Sequence, residues 1–381
     1  MFKQKIIDKY AKSLDETKLK AVYENFKAYQ AKAEAIKGFK EEEYQDGFLR
    51  DVFELCLGYT LKTTNPSEYN LSREHKNETD GKKADGAITI DSEVVALIEL
   101  KDQNTKNLDN ARKGELSPVD QCFRYLNSHQ KAKYAIVSNF DELRLYVGKK
   151  TEYEKFNLFS LDFDGFKRLY LAMSFESIKG GLTARLKEET DSFEKEISKE
   201  LYRDYSLFRS RLFDDIRTNN PHIEPHKLLR LTQTLCDRII FILFAEDREL
   251  LSKNTIKEIR EHYHNDIVGL SMYDYYKIYF KAINEGNNKL GIMPYNGGLF
   301  AENTELDSLK ISNERLDMQV QELSNYHFDS DISVNILGHI FEQNLTDLEE
   351  LLASLGGEAV DKSKSKRKKD GVFYTPEYIT R

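Results

Sequence analysis

"GKKADGAITIDSEVVALIELKD", residues 81–102, is the stretch on which the fold turns. Two apolar runs, 84–90 and 94–100, flank the short polar segment Asp91-Ser92-Glu93, so the pattern predicts a β-hairpin. The second run ends in Ile98-Glu99-Leu100-Lys101-Asp102. Side chains alternate across a strand, which puts Ile98 and Leu100 on one face and Glu99 and Lys101 on the other. A carboxylate and an ammonium are costly to bury unless each finds a partner. Pairing of the two strands would bring Asp85 towards Glu99 across the ladder. Two carboxylates and an amine would then meet at one sheet edge.

That grouping suits phosphodiester hydrolysis. Paired carboxylates bind Mg²⁺ through oxygen and leave several waters on the metal. A metal so held polarises a phosphate and acidifies a bound water. Lys101 would orient the attacking water or help deprotonate it. The plain alternative is an ordinary edge strand whose Glu99–Lys101 pair faces solvent.

Outward from the hairpin, the pattern is that of a mixed α/β domain. The first 40 residues have helical spacing, and "EEEYQDGFLRDVFELCLGY" (41–59) predicts a further helix ending at Gly58. Residues 62–82 read as a polar connection. After the loop 101–118, "SPVDQCFRYLNSHQ" predicts a helix with Ser117 as its cap and Pro118 in its first turn. "KYAIVSNF" and "LRLYVG" predict two more strands, and the domain is expected to close near residue 165.

The chain has 381 residues, enough for two domains. Its N-terminus is too charged for a secretory signal, and no apolar stretch reaches transmembrane length. A cytoplasmic protein without a membrane partner is expected. The three cysteines, Cys56, Cys122 and Cys236, lie far apart within apolar helical patterns and are expected to be buried thiols. The net charge of −8 does not advertise a nucleic-acid partner, so any DNA contact would be a local basic patch.

Asp85 followed by Glu99-x-Lys101 on the next strand resembles the PD-(D/E)XK nuclease superfamily, with Ala84 where the literal signature has proline. Gln121 and Tyr125, four apart on one helical face, resemble the QxxxY element of some of its branches. The resemblance implies catalytic roles for Asp85, Glu99, Lys101 and Gln121. It also implies contacts to double-stranded DNA through Gln121, Tyr125 and Lys101. An acidic residue of an early helix often completes such sites; Glu43 is the candidate, with Glu42 and Glu54 as rivals. The metal set implied is then Asp85, Glu99 and Glu43. A polar pair on a helix surface and a solvated acidic run are the plain readings of these last residues.

From residue 167 the pattern is helical. "DRIIFILFAEDRELL", "YNGGLF", "ILGHIFEQNL" and "KKDGVFYTPEYITR" resemble the connector of single-chain type IIG restriction–modification enzymes. Plain readings stand beside each: a helix with an exposed acidic end, with no catalytic role for Glu246 or Asp247; a glycine turn; a solvated basic linker. The resemblance implies a nuclease domain over 1–165 and a helical connector over 166–355. A basic linker over 356–370 and the start of an adenine-specific methyltransferase over 371–381 would follow. It implies a site-specific deoxyribonuclease using Mg²⁺, with S-adenosylmethionine needed only by a full-length form. No glycine-rich S-adenosylmethionine loop and no Asn-Pro-Pro-aromatic tetrapeptide occurs in the sequence. Methylation is therefore not expected of this chain. Methyltransferase and target-recognition parts would belong to a longer protein or to a partner. The competing expectations are an inactive DNA-binding or scaffolding remnant of a methyltransferase, and a helical interaction protein with a platform domain.

Overall fold

The structure is a computed structural model. It describes residues 1–76, 83–111, 114–295 and 297–328, with 331, 332, 336–338, 340–342, 347, 348 and 351 beyond them. The expected linker and the "GVFYTPEYITR" segment lie outside the described residues. The described chain is mixed α/β and divides into two compact units, 1–192 and 193–381.

The first unit begins with helices α1 (Gln4–Ala11), α2 (Glu16–Gln30), α3 (Ala33–Ile36) and α4 (Glu41–Phe48). The predicted helix over 41–59 does not stay α-helical, because Leu49–Glu54 is a π-helical stretch. Gly58 then ends the segment at φ +78°, a conformation that glycine adopts without a Cβ clash. Six strands follow: β1 (Leu71–Lys76), β2 (Lys83–Ile90), β3 (Glu93–Leu100), β4 (Tyr134–Ser138), β5 (Glu142–Val147) and β6 (Glu154–Asn157). Between β3 and β4 runs α5 (Pro118–Leu126), whose cap Ser117 accepts from the Asp120 amide at 3.0 Å. The unit continues through α6 (Phe163–Met173) and α7 (Phe175–Lys179), and α8 (Leu182–Asn219) contains the division between the units. The expected boundary near 165 differs from this division, because the helices over 163–179 pack into the first unit.

The sheet runs β1-β2-β3-β4-β5-β6, with β3 and β4 parallel and every other pair antiparallel. The parallel step arises because α5 carries the chain back across one face. Val119, Cys122, Tyr125 and Leu126 of α5 pack against Ala87, Leu97, Ala135 and Val137. The alternate residues Ile88, Ile98, Leu100 and Ile136 are buried too. Both faces of the central strands are therefore covered, as the near-continuous apolar runs require. An aromatic cluster consolidates the helical layer: Phe48 meets Tyr29 and Phe140 at ring separations of 6.1 and 5.3 Å.

Two strands lie where no apolar run foretold them. β1, "LSREHK", falls within the stretch read as a polar connection, and β6 is the short segment "EKFN". Both are edge strands, held by a ladder on one side, so neither needs the hydrophobic pattern of a central strand.

The second unit is helical: the remainder of α8, then α9 (Pro225–Asp247), α10 (Thr255–His264), α11 (Met272–Glu285), α12 (Thr304–Asp307) and α13 (Asn313–Leu323). α9 is buried along most of its length, including Leu235, Cys236, Ile239, Ile240 and Ile242. All three cysteines are buried and free. The acidic end of α9 is not the exposed tip of the plain reading. Glu246 accepts from the Ile256 amide at 3.1 Å, and Asp247 from the Phe328 amide at 2.6 Å. No helix of the described residues is long and apolar enough to cross a membrane.

The β2–β3 turn supplies a test. Asp91 and Ser92 sit at φ +50° and +67°, the two-residue geometry that asparagine and glycine favour. Ser92→Gly should therefore stabilise the protein by roughly 0.5–1 kcal/mol, read from the urea midpoint at unchanged slope.

Candidate active site

Asp85, Glu99 and Lys101 converge at the end of the β2–β3 hairpin. The ladder pairs Gly86 with Ile98, and the register continued by one residue sets Asp85 opposite Glu99. Asp85 turns its carboxylate across the strand end, where Oδ2 accepts from the Leu100 amide at 2.7 Å. β4 supports β3 from the other side, and the Lys101 amide donates to the Ser138 carbonyl at 2.8 Å. The end of β3 is thus held by a side-chain bond on one side and a backbone bond on the other, which sets the direction of the three charged side chains.

Lys101 Nζ lies 2.7 Å from Glu99 Oε1 and 2.8 Å from the Leu100 carbonyl. It also lies 3.3 Å from Glu41 Oε2 on α4. Gln45, one turn further along α4, donates Nε2 to Glu41 Oε1 at 3.1 Å and to Asp85 Oδ1 at 3.2 Å. The amide of Gln45 therefore ties the helix to the strand end. Three carboxylates, one ammonium and one amide form a continuous network.

Glu99 is only 1% exposed, and its Oε2 is buried with no hydrogen-bond partner. A buried carboxylate oxygen left unpaired is expensive. Burial, followed by the charge of Asp85, pushes the Glu99 carboxyl up to about 8 despite its contact with Lys101. Burial is also the first cause raising Asp85 and Glu41. The carboxylates around Lys101 outweigh its own desolvation and push its ammonium up. Lys101 therefore stays charged, which suits it to orienting water or offsetting charge and not to accepting a proton.

The other sequence candidates lie elsewhere in the local structure. Glu43 accepts from the Lys40 amide at 2.7 Å, as the reciprocal bond of a helix N-terminus. Glu54 accepts from the Leu61 amide and the Thr64 hydroxyl. The early-helix acid at the cluster is Glu41, with Gln45 beside it. The spacing of four that puts Glu41 and Gln45 on one helical face was present in the sequence, but only the chain's path from α4 to β2 brings that face to Asp85. Gln121 donates to the Tyr125 hydroxyl at 3.1 Å, and both line a cleft with Gly114, Leu116 and Arg124. Their helix packs on the sheet face that carries Glu99, since Cys122 Sγ lies 3.5 Å from the Leu97 carbonyl.

The residues present fit a divalent cation of the Mg²⁺ type. Such an ion takes one or two carboxylates and completes its shell with water, and the unpartnered Glu99 Oε2 beside Asp85 is a donor with an unmet need. Among the described residues no group of three or more His, Cys, Asp or Glu is arranged to hold a metal. A site built on protein ligands alone, with Glu43 as the third, is thus not what the side chains form.

No family model matches the chain. A Methanocaldococcus jannaschii protein provisionally named a type II restriction enzyme and methyltransferase is 26% identical over 171 residues, covering 38% of this chain. The match spans 13% of that relative's length. A cryo-electron-microscopy structure of a DrdV–DNA complex aligns with 93% of this chain and 30% of its own, at 15% identity and a TM-score of 0.26. At that score the likeness adds nothing to the fold described above.

The buried carboxylates make stability depend on pH. The Glu99 carboxyl is raised from 4.5 to about 8, so the folded state keeps its proton where the unfolded chain has lost it. In metal-free buffer, stability should therefore fall as pH rises from about 4.5 through about 8. Asp85 and Glu41 add slopes of the same sign. Glu99→Gln should flatten much of this decline, measured as urea midpoints across pH 5–9 in EDTA.

Proposed function

We propose that the first unit is a Mg²⁺-dependent DNA endonuclease module of a restriction–modification protein of the type IIG kind. The observation that carries the reading is the convergence of Asp85, Glu99 and Lys101 at one strand end, with Glu99 Oε2 buried and unpartnered. The curated relative's name and the connector-like phrases of the second half support the same reading.

Asp85 and Glu99 would hold the metal, which when bound supplies a polarised phosphate and an acidified water. Lys101, kept protonated by the surrounding carboxylates, offsets charge building on the phosphate oxygens. Glu41 shares the Lys101 ammonium and so fixes its position. Gln45 orients Asp85 through Oδ1, while the Leu100 amide holds Oδ2. Gln121 and Tyr125 would contact the backbone of double-stranded DNA from α5. The helical unit would couple cutting to methyltransferase and target-recognition parts, where S-adenosylmethionine would be used.

One observation favours the inactive DNA-binding reading. Lys101 Nζ is within 3.3 Å of both Glu99 and Glu41 and already neutralises part of the acidic cluster. A plasmid-nicking assay decides between the two. With Mg²⁺ the protein, assayed together with any methyltransferase part it requires, should nick DNA, and EDTA should abolish nicking. Asp85→Ala, Glu99→Gln and Lys101→Ala should each lower the rate by about a hundredfold or more while leaving the circular-dichroism spectrum unchanged. Full activity of the Glu99→Gln protein would sink the assignment.

A further inference from the structure

The second unit contains a buried cation that the proposed nuclease chemistry does not use. Arg238, on α9, is 3% exposed. Its Nε donates to the Leu299 carbonyl at 2.9 Å and its Nη2 to the Ala301 carbonyl at 2.6 Å. The guanidinium lies over the rings of Phe280 and Phe300, 5.1 and 5.8 Å from their centroids. No carboxylate forms an ion pair with it among the described residues, and Nη1 makes no hydrogen bond there. Tying down the glycine turn at 297–298 accounts for Nε and Nη2. It does not account for a full charge placed over two aromatic rings with Nη1 making no hydrogen bond. A buried cation without an ion-paired carboxylate is a standing cost; burial lowers this guanidinium's pKa, and Tyr273 and Asp307 offset that only in part.

Arg238 lines a cavity of about 410 Å³, within the usual range for a small-molecule pocket. Apolar surface comes from Leu270 and Ile278, while the Phe280 and Phe300 rings under the guanidinium are each only 2% exposed. Lys281 stands at the cavity with only a 4.0 Å contact to Glu285. Asn284, Glu302 and Asp307 supply acceptors, and Asp274 is already engaged by Ser271 and Lys277. The acids disfavour a bare polyanion. A ligand with one anionic group, an apolar body and several hydrogen-bond donors meets all three features.

We propose that this cavity binds a nucleoside monophosphate, with Arg238 Nη1 and Lys281 on the phosphate, the Leu270 and Ile278 side on the base, and the carboxylates on sugar hydroxyls or a ring amine. Arginine suits the phosphate because its planar fork presents paired donors.

The test is calorimetric titration of the whole chain with each of the four ribonucleoside 5′-monophosphates. Inorganic phosphate, the parent nucleosides and a short DNA duplex serve as comparison ligands. At least one monophosphate should bind, and raise Tm by about 2–4 °C at five times its Kd. Arg238→Gln should weaken binding at least tenfold. Because Arg238 also holds the 299–301 backbone, Ile278→Trp provides an independent check. Residue 278 is exposed at the cavity, so the indole should block the ligand and leave the unliganded Tm unchanged. The proposal is overturned if no monophosphate binds, if both variants bind as the parent does, or if inorganic phosphate or the nucleoside binds equally well. Binding of the duplex alone would also overturn it and make the cavity a DNA contact. None of these outcomes depends on nuclease activity.

Discussion

The hydrogen bond from the Leu100 amide to the Asp85 carboxylate is the constraint on which the candidate site depends. It closes the open end of the β2–β3 ladder with a side chain in place of a backbone carbonyl. Asp85 is thereby directed across the strand end towards Glu99, and the parallel neighbour β4 keeps the strand from fraying there. Lys101 can then reach back two residues to Glu99 without leaving the strand direction. If that end of the ladder loosened, the acids would move into water and the buried, unpartnered oxygen of Glu99 would disappear.

Burial converts this arrangement from a surface ion pair into a site. A solvent-exposed Glu–Lys pair contributes little and titrates normally. With Glu99 almost inaccessible, the cost of its charge is large enough to raise its carboxyl, while the crowd of acids holds Lys101 protonated. The cluster is in this sense under-satisfied, and the divalent cation proposed above would relieve it. Arg238 in the helical unit presents the same logic with the opposite sign. It is a buried charge whose neighbours are rings and carbonyls, beside a cavity open to a ligand.

Much of the site-bearing framework was legible in the residues. The alternation in 84–100 located the hairpin and placed Glu99 and Lys101 on one face. Ser117-Pro118 marked the start of α5, and the next two apolar runs located β4 and β5. β1 and β6 were illegible because an edge strand has only one ladder and need not be apolar. The π-helical stretch after α4 was hidden because its residues are as apolar as those of an α-helix. Glu41 and Gln45 were present in an acidic run whose members look alike. The choice among Glu41, Glu42, Glu43 and Glu54 rests on which helical face meets the strand end.

The periodicities, and with them most of the elements, their faces and the chemical types available at the hairpin, are written in the order of residues. Periodicity is local, set by the geometry of strand and helix, and can be read from a dozen residues. Only the packing of distant segments settles which acid joins Asp85, that Glu99 is buried and short of one partner, and that Arg238 lines a cavity with no carboxylate in an ion pair with it among the described residues. These are properties of segments far apart in the chain. Desolvation depends on everything packed around a group, and no local pattern contains it.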